Sequence, residues 1–590
     1  MKIKTDWNLS PIFSGLDDPR LAEAEKRAIT EVELFERHWR DRDDWLKNPV
    51  ILKEALDHFT RLSEQFGCDT SRNYFFWLQS ELDQNNPVIK AKLAKTQDQV
   101  QNLVNKLQFF PLRLGGVDAN KQREFLTAPD LAIYRHWLEQ LFAEHKYSLS
   151  EAEEKIVTLH SGPAFNNWIR LTENSLAKEE RSVGGEAKSV AEIISLMNHP
   201  GKKLRDEAAT VFNQILSDKL ELAEAELNSI LEYKKNQDQL RKVGRPDELR
   251  LSGDDIEPAI VDAMLKSVED AYSIAHEYYA LKAKLLGVKK LAYHERNLSV
   301  GETEKTYDFD QACQLTDKVF RNLDSEFASI FEGFLQNGQI DAFPKKGKGS
   351  GAFCAHELKI LPTYILLNHT NQLRDVLTLA HEVGHGINNE LMRKNCHALD
   401  FGSPTSTAEV ASTLMEDFVL EELRQNASSA EQLNLLMAKL NDDVSSIFRQ
   451  VAAYRFEQKL HQEFRQAGFL PAPRIGELFR AEMAAYLGDS IELSPGMENW
   501  WVYWSHFRRF FYVYSYASGL LISKNLQRKI RADKKFIGPV KTFLAAGSSA
   551  SPKQLFLNLG LDISHPEFWT EALAQVRADL DLAKDLAAKL

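Results

Sequence analysis

The sequence is poor in cysteine, with four in 590 residues. Cys68, Cys313, Cys354 and Cys396 are scattered and show no paired spacing. That excludes a disulfide-built scaffold and points to a reducing, cytoplasmic compartment. No apolar run approaches the roughly 20 residues needed to cross a bilayer, so a membrane partner is not expected. The start, Met1 to Trp7, has two lysines but no hydrophobic stretch behind them, unlike a secretory signal. Positive charge is not in excess: 73 Lys and Arg against 85 Asp and Glu give a net charge of -12. Nucleic acid is therefore not expected as the main partner. There is no internal repeat and no low-complexity segment. The Gly347-Lys348 pair lacks the glycine five positions earlier that a phosphate loop needs, because Ala342 stands there. A mobile turn is the expected reading of Phe343 to Gly351.

What the sequence does have is helical periodicity. Apolar content of 43% and charged content of 27% are ordinary for a globular chain. Leu93, Val100, Leu103, Val104 and Leu107 form one stripe, ended by Pro111 and Gly115-Gly116. Leu216, Leu220, Ala223, Leu227, Ile230 and Leu231 form a second, stopped by Gly244-Arg245-Pro246. Ser182 to Glu186 reads as a turn between elements. The only clear sheet material is Thr363 to Asn368, a β-branched and aromatic run. Such a strand is suited to pair with an extended substrate backbone at a sheet edge, or to serve as a plain core strand.

One stretch carries chemistry: Thr378-Leu379-Ala380-His381-Glu382-Val383-Gly384-His385-Gly386-Ile387. Residues four apart share a helix face, so His381 and His385 can aim two imidazoles at one metal ion. Glu382, one residue along, is placed to act on a metal-activated water without being a ligand. His-Glu also occurs at residues 276, 294 and 356, but the positions four beyond are Ala280, Leu298 and Ile360. Only His381 has a histidine partner. A catalytic zinc site needs a third protein ligand and one open position. Asn388 and Leu391 rule out the HExxHxxGxxH pattern, and Pro404 stands where a glutamate 19 residues past His385 would fall. Glu409, in a segment with helical character after Gly402-Ser403-Pro404, is the best third ligand. Glu416, seven residues on, is placed to hydrogen-bond a ligating imidazole from behind.

The combination His-Glu-x-Gly-His with Ala408-Glu409-Val410-Ala411-Ser412-Thr413 resembles the thimet oligopeptidase family, and within it the oligoendopeptidase F branch. Trp7 to Phe13, Tyr278 to Gly287, Gly351 to Cys354, Pro362 to Asn368, and His506-Phe507 with Phe511 to Gly519 agree with that branch. The resemblance spans nearly the whole chain. It implies a mainly α, two-lobed, zincin-type fold around a deep channel, with a small β-sheet beside the metal helix. Residues 1–200 would form an N-terminal helical lobe and 201–590 the catalytic domain. It implies one zinc ion held by His381, His385 and Glu409, short oligopeptides as substrates, and cleavage of internal bonds. It places His506 and a tyrosine of the Tyr512 to Tyr516 segment against the oxyanion. Tyr516 is the first choice; Tyr512 and Tyr514 stay open. The branch usually has a tyrosine two positions after the histidine, and Arg508 stands there instead. An arginine there is expected to attract an acidic side chain or a peptide carboxylate. The alternatives are an exopeptidase of the dipeptidyl carboxypeptidase kind and a zinc-bearing peptide binder without turnover. A binder has no use for Glu382 as a base.

Overall fold

The computed structural model describes residues 3–301, 305–425 and 427–590. Met1 and Lys2, at the head of the segment expected to lack a signal, lie outside the described residues. Helices follow one another along almost the whole chain. Their starts are written in the sequence. Asn48 and Asn86 each accept a helical N–H just ahead of a proline. Ser150, Ser189 and Ser428 form capping boxes with Glu153, Glu192 and Glu431. Among the described residues no helix is long and apolar enough to cross a membrane.

The second apolar stripe is not one helix. It breaks at Lys219 between Lys202–Asp218 and α1 (Leu220–Leu240), and both pieces bury their apolar faces in the same core. The expected turn at Ser182 to Glu186 is the tip of a hairpin, Glu180–Val183 with Glu186–Ser189, whose Gly184 and Gly185 both have positive φ.

A three-stranded sheet stands beside the site: β1 (Ile340–Asp341), β2 (Phe353–Ala355) and β3 (Tyr364–Leu366). The order is β1-β3-β2, with β3 parallel to β1 and antiparallel to β2. Of the two readings of Thr363 to Asn368, this bears out the core strand and corrects the substrate-pairing edge. The β3 strand is central and wholly buried, so it offers no free edge to a peptide. The β2 strand is an edge strand, and it follows Ala352, which lines the cavity described below. The sheet is also not the only one, since the hairpin and a short parallel pair, Leu291–Ala292 with Ile491–Glu492, exist elsewhere. Nor is the glycine-rich turn at 343 to 351 left loose. Lys348 is buried and donates to the Asp341 carboxylate at 2.6 Å and to the carbonyls of Phe343 and Leu367 at 2.7 and 2.6 Å.

Further along the chain come α2 (Leu373–Asn395), α3 (Val410–Gln425), α4 (Ser429–Asp443), α5 (Arg449–Ala467), α6 (Tyr514–Ala532) and α7 (Pro566–Lys589). The largest core runs from Leu176 to Leu586 and contains the buried faces of all six. Two smaller cores lie among residues 28–138 and between residues 9–78 and the β2–β3 region. Two buried ion pairs join helices of the large core. Lys439 reaches Asp579 at 3.1 Å, and Lys524 reaches Asp443 at 2.8 Å, tying α4 to α7 and to α6. Desolvation offsets much of the attraction in such pairs, but removing one partner strands a buried charge and is costly.

Candidate metal centre

The α2 helix begins where Asp375 accepts from the Gln372 N–H at 3.0 Å. It buries most of its length, and His381 and His385 share one face with ring centroids 5.1 Å apart. Between them is Gly384. A Cβ there would lie 2.7 Å from Ser412 Cα and 2.8 Å from the Ala411 carbonyl oxygen. The missing side chain is what lets the start of α3 press against α2. On the other side, a Cβ at Gly519 of α6 would lie 2.6 Å from Glu409 Cβ. Two glycines therefore squeeze Glu409 against the histidine face. Gly384→Ala should force two backbones apart, lower stability by about 1–3 kcal/mol and weaken metal binding. Chemical denaturation and a metal titration would check this; an Ala variant equal to the parent in both would contradict it.

Glu409 itself is not inside α3. It stands at the break between a one-turn helix, Thr405–Ala408, and α3. Its Oε2 lies 3.4 Å from His381 Nε2 and 3.5 Å from His385 Nε2. Ser412 Oγ donates to the same carboxylate oxygen at 3.1 Å. Glu416, one turn and more along α3, sits 3.0 Å from His381 Nδ1. Burial opposes charge on Glu409, but contacts to the two histidines outweigh it and hold the carboxyl well below its usual range. Burial likewise opposes charge on His381, and Glu409 and Glu416 outweigh it, so this imidazole is held well above its usual value. Glu382 is 7% exposed, and burial pushes its carboxyl up. His381, Glu382, Glu409 and Glu416 line one cavity of about 400 Å³, together with Ala352 beside the β2 edge and Tyr516.

The structure brings His506 and two of the three tyrosines together. His506 Nε2 is 3.0 Å from the Tyr516 hydroxyl. Tyr512 packs on both, with ring centroids 6.0 Å from His506 and 5.6 Å from Tyr516. Tyr514 points elsewhere: it is buried, and its hydroxyl donates to Asp254 at 2.8 Å. Burial, with Arg509 and Arg449 nearby, lowers His506 to about 4, so its imidazole is neutral at neutral pH.

The loop before Tyr512 is strained. Phe510 and Phe511 both have positive φ, 43° and 55°. Left-handed backbone at two non-glycine residues costs of order 1–3 kcal/mol each. Glu457, on α5 and fully buried, accepts the Phe511 N–H at 2.8 Å and helps to hold that shape. No local pattern marked this residue. Burial raises the Glu457 carboxyl to about 8, above the value near 4.3 of an unfolded chain. Its contribution to stability is full below the unfolded value and is lost as pH rises through about 8. Glu457→Gln keeps an acceptor for Phe511 and has no charge to bury. The variant should therefore gain on the parent as pH rises from 5 to 9. Denaturation midpoints across that range test it, and a constant difference would contradict it.

Arg508 departs from expectation. It is buried, and its Nε and NH2 donate to the two carboxylate oxygens of Glu226 on α1 at 3.0 and 2.8 Å. Its NH1 donates to the carbonyls of Trp501 and Trp504. Four of its five N–H groups are thus spent inside the protein, and Arg508 does not line the metal cavity. The side chain turns inward to Glu226 of α1 rather than toward the metal cavity.

The three proposed ligand atoms lie within 4.8 Å of one another. An ion bound at about 2.0–2.2 Å in tetrahedral geometry holds its ligands roughly 3.3–3.6 Å apart, which matches the two measured separations. A second acidic and histidine group, Asp206, His294 and Glu295, is engaged by Lys202 and Arg205. The helical fold and this two-histidine, one-carboxylate cluster are those of a metallopeptidase.

The family model described as peptidase family M3 matches residues 195–575, and that described as oligopeptidase F matches residues 114–178. The chain belongs to peptidase family M3. Curated relatives include an oligoendopeptidase F homolog of Borreliella burgdorferi, 24% identical over 95% of this chain and 94% of the relative. Another is oligopeptidase PepF of Bacillus subtilis, 24% identical over 100% and 88%. Among solved structures, a putative peptidase from Chlamydophila abortus covers 99% of this chain and 98% of its own, with TM-score 0.81 and 20% identity. Oligoendopeptidase-F from Enterococcus faecium covers 97% and 99%, with TM-score 0.74 and 18% identity. The chain thus has the fold of these enzymes, and the resemblance to the oligoendopeptidase F branch holds over its whole length.

Proposed function

We propose that this peptidase is a zinc-dependent endopeptidase that hydrolyses internal bonds of short oligopeptides. The observation that carries the reading is the placement of His381 Nε2, His385 Nε2 and Glu409 Oε2 at zinc-ligand separations, with Glu382 beside them in one cavity. When bound, zinc supplies a Lewis acid and brings the pKa of a coordinated water to about 7. Glu382 takes the proton from the attacking water and passes it to the leaving amine. With the proton on His506 Nε2, the imidazole donates to the Tyr516 oxygen and leaves the Tyr516 O–H free to meet the oxyanion. Tyr512 is the neighbouring donor and closes the same corner. Glu416 accepts from His381 Nδ1–H and fixes the tautomer that presents Nε2 to the metal. The open side of β2, next to Ala352, is where an extended peptide would pair.

We place the N-terminal lobe at residues 1–200 and the catalytic domain at 201–590. The two smaller cores, both drawn largely from the first 140 residues, support a division in this region. The four unpaired cysteines suit a cytoplasmic enzyme.

Metal counting tests the reading. The purified protein should bind one zinc per chain, and His381→Ala or Glu409→Ala should lose it. Glu416→Gln should weaken zinc binding about 10–100-fold, read by competition with a coloured chelator. Zinc retained at full stoichiometry after loss of Glu409 would exclude the ligand set.

A further inference from the structure

A second cavity, of about 590 Å³, adjoins the metal centre and is lined by Tyr293, Arg296, Arg449, Trp500, Trp504 and His506. His506 is the link, because its Nε2 meets Tyr516, which lines the metal cavity. The chain makes the link again. Ser446 lines the metal cavity, and Arg449, three residues on at the start of α5, lines the second. Between α4 and α5 the helix widens into a π turn, Val444–Phe448. Such turns concentrate at functional sites.

The two arginines are held but unsatisfied. The Arg296 guanidinium stacks 4.2 Å from the Tyr293 ring centre and 4.6 Å from that of Trp500. One of its terminal nitrogens donates to the Tyr293 carbonyl, while its buried Nε has no partner. Arg449 lies 5.5 Å over Trp504, and its buried Nε also has no partner. Among the described residues neither arginine is paired with a carboxylate. The one acidic residue lining this cavity, Glu173, is exposed and pairs with neither. Burial and the charge of Arg296 both disfavour the cation on Arg449. Two guanidinium groups that line one cavity, each over an aromatic ring and neither paired with a carboxylate, make a place for an anion. Arg449 and His506 line this cavity together, and His506 meets Tyr516 of the metal cavity, so an anion held here would lie next to the metal site.

We infer that Arg449 and Arg296 form a subsite for a carboxylate of the peptide substrate, either its C-terminal carboxylate or an acidic side chain. The inference rests on the peptidase reading above. It moves to Arg449 the recognition that the sequence suggested for Arg508.

The test uses the full-length Glu382→Gln protein loaded with zinc, with peptide binding read from tryptophan fluorescence, since Trp500 and Trp504 line the cavity. One peptide set ends in a free acid or an amide at successive lengths. The other is blocked at both ends and carries Glu or Gln at one position at a time. One acid form should bind about ten- to hundredfold tighter than its neutral twin. The set in which this occurs identifies the source of the carboxylate. In Arg449→Gln the ratio should fall toward one, and Arg449→Lys should restore part of it. Ratios near one for every pair in the unsubstituted Arg449 background would overturn the inference without reliance on any arginine variant. An unchanged ratio in Arg449→Gln would also overturn it. Failure of the peptidase reading shows separately, as absence of cleavage by the parent enzyme.

Discussion

Glu382→Gln is expected to lower peptide hydrolysis by about 10²–10⁴-fold while zinc stays bound at one per chain. Gln keeps the size of the side chain and a carbonyl to face the cavity, but it has no proton-accepting oxygen at neutral pH. The carboxylate is not within the ligand set of His381, His385 and Glu409, so its loss should leave the metal in place. The loss should fall on kcat, because the proton moves in the transition state and not on binding. Steady-state kinetics with an internally quenched peptide and metal analysis of the same sample check both halves. A variant within about threefold of the parent in kcat would place the base elsewhere. Loss of zinc together with activity would mean that Glu382 supports the metal rather than the water.

Arg508→Tyr is expected to destabilise the fold by about 3–5 kcal/mol and to leave cleavage preference unchanged. Glu226 is 0% exposed and Arg508 4%, so removing the cation strands a buried carboxylate. The double variant Glu226→Leu with Arg508→Met should recover most of the loss, because an apolar pair of similar volume can replace a buried ion pair. Urea denaturation of the single and double variants tests this. A single variant as stable as the parent would show that the pair is not closed in solution.

The metal cluster was legible because helix geometry alone puts residues four apart on one face. Glu409 was legible by its neighbours in the resemblance, but not its position at a helix break, which depends on how tightly α2 and α6 pack through Gly384 and Gly519. The mainly helical class followed from periodicity and caps. The sheet order did not, because strands of two or three residues carry little pattern and β3 takes partners from both sides. Arg508 was misread for a related reason. Its partner lies 282 residues away, and nothing near it in the chain signals Glu226. Tyr514 was separable from Tyr512 and Tyr516 only once Asp254 was seen beneath it. Arg449 drew no notice, because an arginine on an amphipathic helix reads as solvated until its surroundings are known.

The most direct test of a metal-dependent endopeptidase is cleavage of an internally quenched octapeptide blocked at both ends. Purified protein would be assayed alone, after chelation, and after zinc is restored, with products read by mass. Internal cleavage that stops on chelation and returns with zinc is the predicted result. No cleavage by protein shown to carry one zinc, or cleavage indifferent to the chelator, would contradict the account.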